Sequence, residues 1–420
     1  MVKGKKVKGF DFTELKYDPA WKSAIDELHA RPALTINSAA RIVHIAFRCS
    51  DLVANQLFQT LEEQKAKSGP RHCIGQISGN LIKVERHTEF VSCTLATENK
   101  ALGESALFST IAELLPLKKV KLITFLNIEI ASKNEPGQSL ENFLNAKYRA
   151  TLAPGFSVAS NYLPQSNGAL AFFCCTDEKS EIGPNIQRLI ELETYRVLSM
   201  EALPIARKIS IQLDKLEKEL ATLSNNLLTL NESEKERQRT LFEQLTDISN
   251  RAASNRSMTR YRFAATRAYS SIVEQRLNHF GRFHEVGDML AGFIRSRLNP
   301  AIATISSVDK RQEELALECS RAIEILRTHI ELGLSHNNTE LLKSMNQRHQ
   351  QQLIISQTVE GLSAVAITYY AVGLVSYLIK ALGQLELTNF NEAIVISISI
   401  PMVFLTVFFG LRRLRKSWGH

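Results

Sequence analysis

The chain has 420 residues, 44% hydrophobic and 22% charged, with a formal net charge of +8. That is enough for one or two folded domains. The cations are scattered, which excludes a lysine-block nucleic-acid arm, and the six cysteines form no CxxC pair or zinc spacing.

Residues 1–40 form a polar lead-in. Its start, MVKGKKVKGFDF, is basic but lacks the apolar core of an export signal, so the region ahead of the C-terminal segments is expected in the cytosol. Glu27-Leu28-His29-Ala30-Arg31-Pro32 then packs an acid, an imidazole and a guanidinium into one hexapeptide. Glu27, His29 and Arg31 suit phosphate or carboxylate binding, or acid–base work. The plainer reading is a tethered segment whose Arg31 pairs with a carboxylate on the domain.

Residues 41–184 read as an α+β domain. Arg41–Cys49 alternates as a strand, and Leu52–Lys67 is an amphipathic helix. Leu81–Arg86 and Glu89–Leu95 are two strands joined tightly at His87-Thr88. A helix over Ser105–Leu115 ends at Pro116, and strands follow over Val120–Ile130 and Ala169–Cys175. Cys174 and Cys175, inside LAFFCCT, read as buried strand residues, and all six thiols as small buried hydrophobes. Pro154-Gly155 and Gly183-Pro184 are loop signals. Within Glu85-Arg86-His87-Thr88-Glu89-Phe90, strict alternation would put Glu85, His87 and Glu89 on one face, a set able to hold a divalent ion. Salt bridging at a hairpin end, with Arg86 included, is the plainer reading.

Residues 185–357 are nearly all helix-forming. Leu213, Leu216, Leu220, Leu223 and Leu227 recur at helical spacing, a turn falls at Asn231-Glu232-Ser233, and a second helical stretch runs to Leu298 with a break near Gly281 or Gly287. Arg251, Arg256, Arg260, Arg262 and Arg267 surround Tyr261, Phe263 and Tyr269. That mixture suits RNA or anionic lipid, or equally a helix lying against acidic neighbours. Asn299-Pro300 predicts a fresh helix start. From there a helical stalk runs directly into an apolar segment, roughly 120 Å if unbroken, and a helix of that length needs partners.

Residues 358–411 hold two apolar runs, 362–382 and 393–411, each about the 20 residues that cross a hydrocarbon core of about 30 Å. The hinge between them carries Glu386 and Glu392. The tail, residues 412–420, carries Arg412, Arg413, Arg415 and Lys416. The positive-inside rule then places both termini in the cytoplasm and the hinge outside, against the single opposing charge of Lys380. Ser363, Ala366, Tyr370, Gly373, Tyr377 and Lys380 are spaced 3, 4, 3, 4, 3 along the first run. Such a stripe reads as a packing face between the two spans or between subunits, or more sharply as a pore lining.

With these residues in hand, the chain resembles an uncharacterised family of bacterial membrane-anchored proteins, domain of unknown function 3422. The resemblance rests on ELHARP at Glu27–Pro32, ERHTEF at Glu85–Phe90, YRFAATRAY at Tyr261–Tyr269 and QTVEGLSAVAITYYAVGLVSYL at Gln357–Leu378. It spans nearly the whole chain and implies a two-pass protein of the bacterial inner membrane. More loosely, the plan of cytosolic α+β domain, stalk helix, short outer hinge and basic tail looks like the CorA-type magnesium channels. Those channels carry a Gly-Met-Asn signature at the outer end of the first span. Tyr377 to Leu382 holds no such triplet, so magnesium selectivity is not implied.

No GxxxxGK[ST], HExxH or GxSxG motif occurs. The sequence therefore predicts a non-enzymatic, membrane-anchored homo-oligomer acting as scaffold or sensor, with no cofactor. Its expected partners are the lipid bilayer and its own copies, without nucleic acid. A CorA-like channel is the alternative. An enzyme using Glu27, His29 and Arg31 is the weaker one.

Overall fold

The computed structural model describes residues 18–21, 24, 32–64, 66–69, 71–99, 102–135, 137–177, 180–231, 234–280, 289–383 and 392–418. The chain divides into two compact units. One comprises residues 1–226 with 243–322, the other residues 227–242 with 323–420.

The first unit is built on a nine-stranded mixed sheet. Its strands are β1 (Arg41–Arg48), β2 (Lys67–Ser68), β3 (His72–Ile77), β4 (Asn80–Arg86), β5 (Val91–Thr97), β6 (Lys121–Ser132), β7 (Tyr148–Ala153), β8 (Phe156–Ser160) and β9 (Leu170–Thr176). The order is β2-β3-β4-β5-β1-β6-β9-β8-β7, and every neighbouring pair is antiparallel except β6 with β9. The helices are α1 (Asp51–Glu63), α2 (Glu104–Leu114), α3 (Gln138–Asn145), α4 (Ile182–Met200), α5 (Ala202–Leu228), α6 (Lys235–Phe280), α7 (Met289–Gly383) and α8 (Glu392–Trp418).

Alternation along each strand sends successive side chains to opposite faces. On one face Val43, Ile45 and Phe47 of β1 and Cys93 and Leu95 of β5 meet Leu57 and Leu61 of α1 and Leu107 and Ile111 of α2. On the other, Ile42 and Ala46 join Leu126 and Ile128 of β6, Leu189 and Leu198 of α4, Leu277 of α6 and Ile294 of α7. This second face also receives the polar members of the pattern, His44 of β1 and Lys83 and Glu85 of β4.

The long helices pack by a 3–4 repeat. Leu213, Leu216, Leu220, Leu223 and Leu227 of α5 are buried, as are Ile294, Leu298, Ala301, Ile305 and Val308 of α7. Ion pairs tie the helices of this unit together: Arg251 of α6 to Glu219 of α5 at 2.8 Å, Arg256 of α6 to Glu313 of α7 at 2.7 Å, and Arg311 of α7 to Asp214 and Glu217 of α5 at 2.6 and 2.7 Å. Arg267 of α6 pairs with Asp309 of α7.

Three sequence expectations change. Pro300 does not start a helix; α7 begins at Met289 and runs through it. A proline inside a helix removes one N–H and strains the preceding turn. Here Ala301, Ile305 and Val308 stay buried beyond it, so packing on both sides holds the helix straight through the defect. Gly183-Pro184 is not a loop but the first turn of α4. A Cβ at Gly183 would collide with the Leu34 carbonyl, so only glycine lets the segment before β1 lie against α4. Pro184 lies in a first turn, where its missing N–H leaves nothing unpaired. Third, the helix expected over Leu52–Lys67 ends at Glu63 and Lys67 opens β2, while β3, β7 and β8 have no counterpart in the sequence pattern: Gly75 and Gln76 interrupt the apolar pattern of β3, and β7 and β8 are a short hairpin turning at Gly155, whose φ is +75°.

In the second unit the turn between α5 and α6 places buried Leu230 near α7, and a shallow polar cleft is lined by Asn231, Lys235, His329, Gly333 and His336. From Leu334 to Val359 every side chain of α7 is exposed.

Candidate functional site

The β4–β5 hairpin carries ERHTEF. β4 ends at Arg86, which pairs with Val91 at the start of β5, and the His87 N–H donates to the Phe90 carbonyl at 2.8 Å. This four-residue connection breaks the strand alternation. Glu85, His87 and Glu89 therefore do not share a face as one ligand set. Among the described residues no group of three His, Cys, Asp or Glu side chains is placed to hold a metal ion.

Glu85 points toward α4 with Lys83, two residues earlier on the same face. Both are almost fully buried, with Lys83 Nζ 2.8 Å from Glu85 Oε1. Lys83 also donates to Gln187 Oε1 at 3.0 Å, and Gln187 donates to Glu191 Oε1 at 3.0 Å. Arg276 of α6 closes the row on Glu191 at 2.6 Å. Two acids and two bases thus run from the sheet through α4 to α6. Buried charges of this kind persist only when paired, because an unpaired one loses its hydration with nothing in return.

His44 of β1 lies beside this row. Its Nδ1 is 2.9 Å from Thr94 Oγ1, and its Nε2 is 3.5 Å from Thr194 Oγ1. Burial, with the nearby His87 and Lys83 adding to it, pushes its pKa down to about 3, so the ring is neutral at ordinary pH. The His87 ring stacks on Phe90 at 4.0 Å between centroids, and its Nε2 is 3.3 Å from Ser92 Oγ. His44, Glu85, His87, Ser92, Gln187 and Thr194 border one half-open gap of about 10 Å³. That is room for about one water, not for an organic substrate.

Glu89 forms a second node. It accepts from Tyr261 Oη at 2.8 Å and from Arg262 at 2.9 Å, both on α6, and lies 3.5 Å from Arg48 of β1. Glu201, between α4 and α5, binds Arg48 at 2.7 Å and Arg262 at 3.2 Å. Burial alone would raise the Glu89 pKa. Hydrogen bonds from Tyr261 and Arg262, the Arg262 charge and a hydrogen bond from Tyr269 outweigh it, and the carboxyl titrates below its usual value. Arg86 turns outward, to Asp51 at 2.5 Å and Asn55 at 2.9 Å. A third cluster sits further along α4: fully buried Glu193 accepts from Tyr162 Oη at 2.5 Å and from Arg196 Nε at 2.9 Å.

Thus the structure separates what the hexapeptide places side by side. Glu85 and His87 border the small gap, Glu89 serves the helices, and Arg86 faces the surface. Glu27, His29 and Arg31 lie outside the described residues. Lys83, His44, Gln187, Glu191 and Glu201 were not read from the sequence. His44 in RIVHIAF had one visible signal, a lone polar residue between Ile42 and Ala46 on one parity of the strand; Lys83 in LIKVER shares its parity with Glu85, an opposite charge two residues on.

The C-terminal stripe also moves. In the first apolar segment the covered positions are Ala364 and Thr368, while Tyr370 and Tyr377 are 72% and 75% exposed, Ser363 and Lys380 are exposed, and Gly373 is half-covered. All of the stripe but Gly373 is thus exposed within the chain. The half-covered residues of α8, namely Ile396, Ser399, Val403 and Val407, likewise keep to one side at helical spacing.

A family model described as a protein of unknown function, DUF3422, matches residues 17–418. No curated protein matches the chain. The chain belongs to the DUF3422 family, and two of the segments by which it resembles that family, ERHTEF and YRFAATRAY, meet at Glu89.

Proposed function

We propose that the chain is an integral protein of the bacterial inner membrane. Its two apolar helices would cross the bilayer as a hairpin, and its sheet domain would work in the cytoplasm by binding rather than by catalysis, as a self-associating scaffold or sensor. The observation that carries this reading is the bareness of the apolar helices. The window Ala393–Gly410 has mean hydropathy 2.3 with none of it buried, and the most apolar window of α7 has 1.8 with 11% buried. Soluble proteins rarely expose so much contiguous apolar surface. The polar groups within these segments agree: Thr368, Ser397, Ser399 and Thr406 each donate to a carbonyl of their own helix at 2.7–3.0 Å, as a side chain in lipid must.

The binding role is supported by the closed state of the polar clusters. Lys83–Glu85, Glu89–Arg262 and Glu193–Arg196 are each neutralised in place, and the gap beside Glu85 holds no more than a water. Such networks fix how the hairpin, α4 and α6 sit together.

Membranes from expressing cells, washed with alkaline carbonate, should retain the full-length chain. Release with the peripheral proteins would refute the anchor. A cysteine placed in the hinge at Thr388 should react with an impermeant maleimide from outside, and one at Ser417 only after lysis; the reverse pattern would invert the topology.

A channel is the second reading, and the exposed Tyr370–Tyr377–Lys380 stripe is what favours it. Purified protein in liposomes should then pass Mg²⁺, other divalents, K⁺ or Cl⁻. Background flux for all of them removes it.

A further inference from the structure

The buried seam of α7 does not simply fade toward the membrane; it changes face. Through Leu315, Cys319, Ala322 and Leu326 the covered residues alternate by four and three. Continuing that rhythm gives Gly333, which is covered, and then His336, Glu340 and Lys343, which are exposed. One residue beyond Gly333 a new apolar series begins. Leu334, Leu341, Ile355 and Leu362 fall at multiples of seven from one another, and Met345 and Val359 fall four residues after members of that series. All six are more than half exposed. A seven-residue repeat of this kind winds two helices into a left-handed pair.

From these observations we infer that the segment Leu334–Leu362 of α7 pairs in parallel with the same segment of a second copy of this chain. This rests on the anchored reading above, which makes both copies enter the bilayer in the same direction. Three features select the occupant. First, a lone helix of this length exposing leucine and isoleucine is marginal in water, and every side chain from Leu334 to Val359 is exposed in the described chain. Second, the positions flanking the seam, from Ser335 to Thr358, carry no acid, lysine or arginine, so a parallel copy meets no like charge across them; Glu340, Lys343 and Glu360 all fall outside. Arg348 falls on the seam, and its long stem lets the charge reach water at the edge. Third, Asn338 and Gln352 occupy alternate seam positions, where a polar residue opposite its own copy fixes register. The seam also stays free where the apolar segment begins, because Ala364 and Thr368, the covered positions there, lie on the side of the helix away from Leu362 and Ala366.

The test is cross-linking through one introduced cysteine in the full-length chain in native membranes. Parallel pairing brings each seam residue against itself. Mild oxidation of Leu341→Cys or Ile355→Cys should give a disulfide-linked species of twice the chain mass, while the off-seam Lys343→Cys and the parent chain should give several-fold less. Adding Ile355→Asp to Leu341→Cys should abolish the species, without folding being at stake, since Ile355 is exposed. Equal linkage at seam and off-seam positions, no linkage, or linkage to a protein of different mass would overturn the proposal. Carbonate extraction of the same membranes is scored separately: a retained chain without seam linkage defeats the pairing alone, whereas a released chain defeats the anchor.

Discussion

Helix α7 holds two regions that look alike in sequence and behave differently in space. Around Leu298, Ile305 and Leu315 its apolar residues are buried in the first unit. Around Leu341, Leu342 and Leu353 residues of the same types are largely exposed. The residue types hardly differ, so they do not decide burial; what lies alongside does. In the first region the chain covers its own seam with α5 and α6. In the second, no described residue covers the side chains from Leu334 to Val359.

The comparison can be broken most sharply on its covered side. Lys83→Met strands Glu85 without its cation in the interior and should cost about 3–5 kcal/mol in urea unfolding followed by circular dichroism. Lys83→Met with Glu85→Leu should recover most of that loss, and no recovery would mean the pair is not the local source of stability. Leu298→Ala should cost about 2–5 kcal/mol, because it opens a cavity in a packed layer. Glu89→Gln weakens the node joining β1, the hairpin and α6 and should cost about 1–3 kcal/mol.

The pH dependence sharpens the same contrast. The Glu89 carboxyl titrates below its ordinary value in the folded chain. Its contribution is present above the unfolded value of about 4.3 and is lost as pH falls through the folded one, so the parent chain should lose stability below about pH 4 and Glu89→Gln should lose less. His44 is also depressed, to about 3. The unfolded chain therefore binds a proton between about pH 6.5 and 3 that the folded chain refuses, and stability should fall on acidification by at most about 1.4 kcal/mol per unit. His44→Gln should flatten that slope, and an unchanged slope would assign it to other groups. The smallest effect belongs to the bare region: Leu342→Ala should change stability in detergent by about 0.5 kcal/mol or less. A loss matching that of Leu298→Ala would show that the bare region is covered after all.

Much of the fold was legible because its signals are local. The 3–4 rhythm of Leu213–Leu227, the alternation of RIVHIAF and the apolar runs after Leu362 each depend on residues a few positions apart. The strands over His72–Ile77 and Tyr148–Ser160 were not legible, since their pairing partners rather than their own patterns hold them. Pro300 misled for a related reason: its local preference was overridden by packing on either side. At the candidate site the sequence singled out Glu85, Arg86, His87 and Glu89 but grouped them wrongly. A connection of only four residues sends Glu85 to Lys83, Arg86 to Asp51 and Glu89 to α6.

By itself, the sequence determined that the chain has an α+β part, long amphipathic helices and two segments apolar enough to cross a bilayer. Those properties follow from side-chain chemistry repeated along one strand or helix. Only the tertiary structure decided which polar residues meet. Glu89 reaches Tyr261 and Arg262 across 172 and 173 positions, and Lys83 reaches Gln187 across 104. Contacts at such separations depend on strand order and on which face α4 and α6 cover, and no local pattern encodes either.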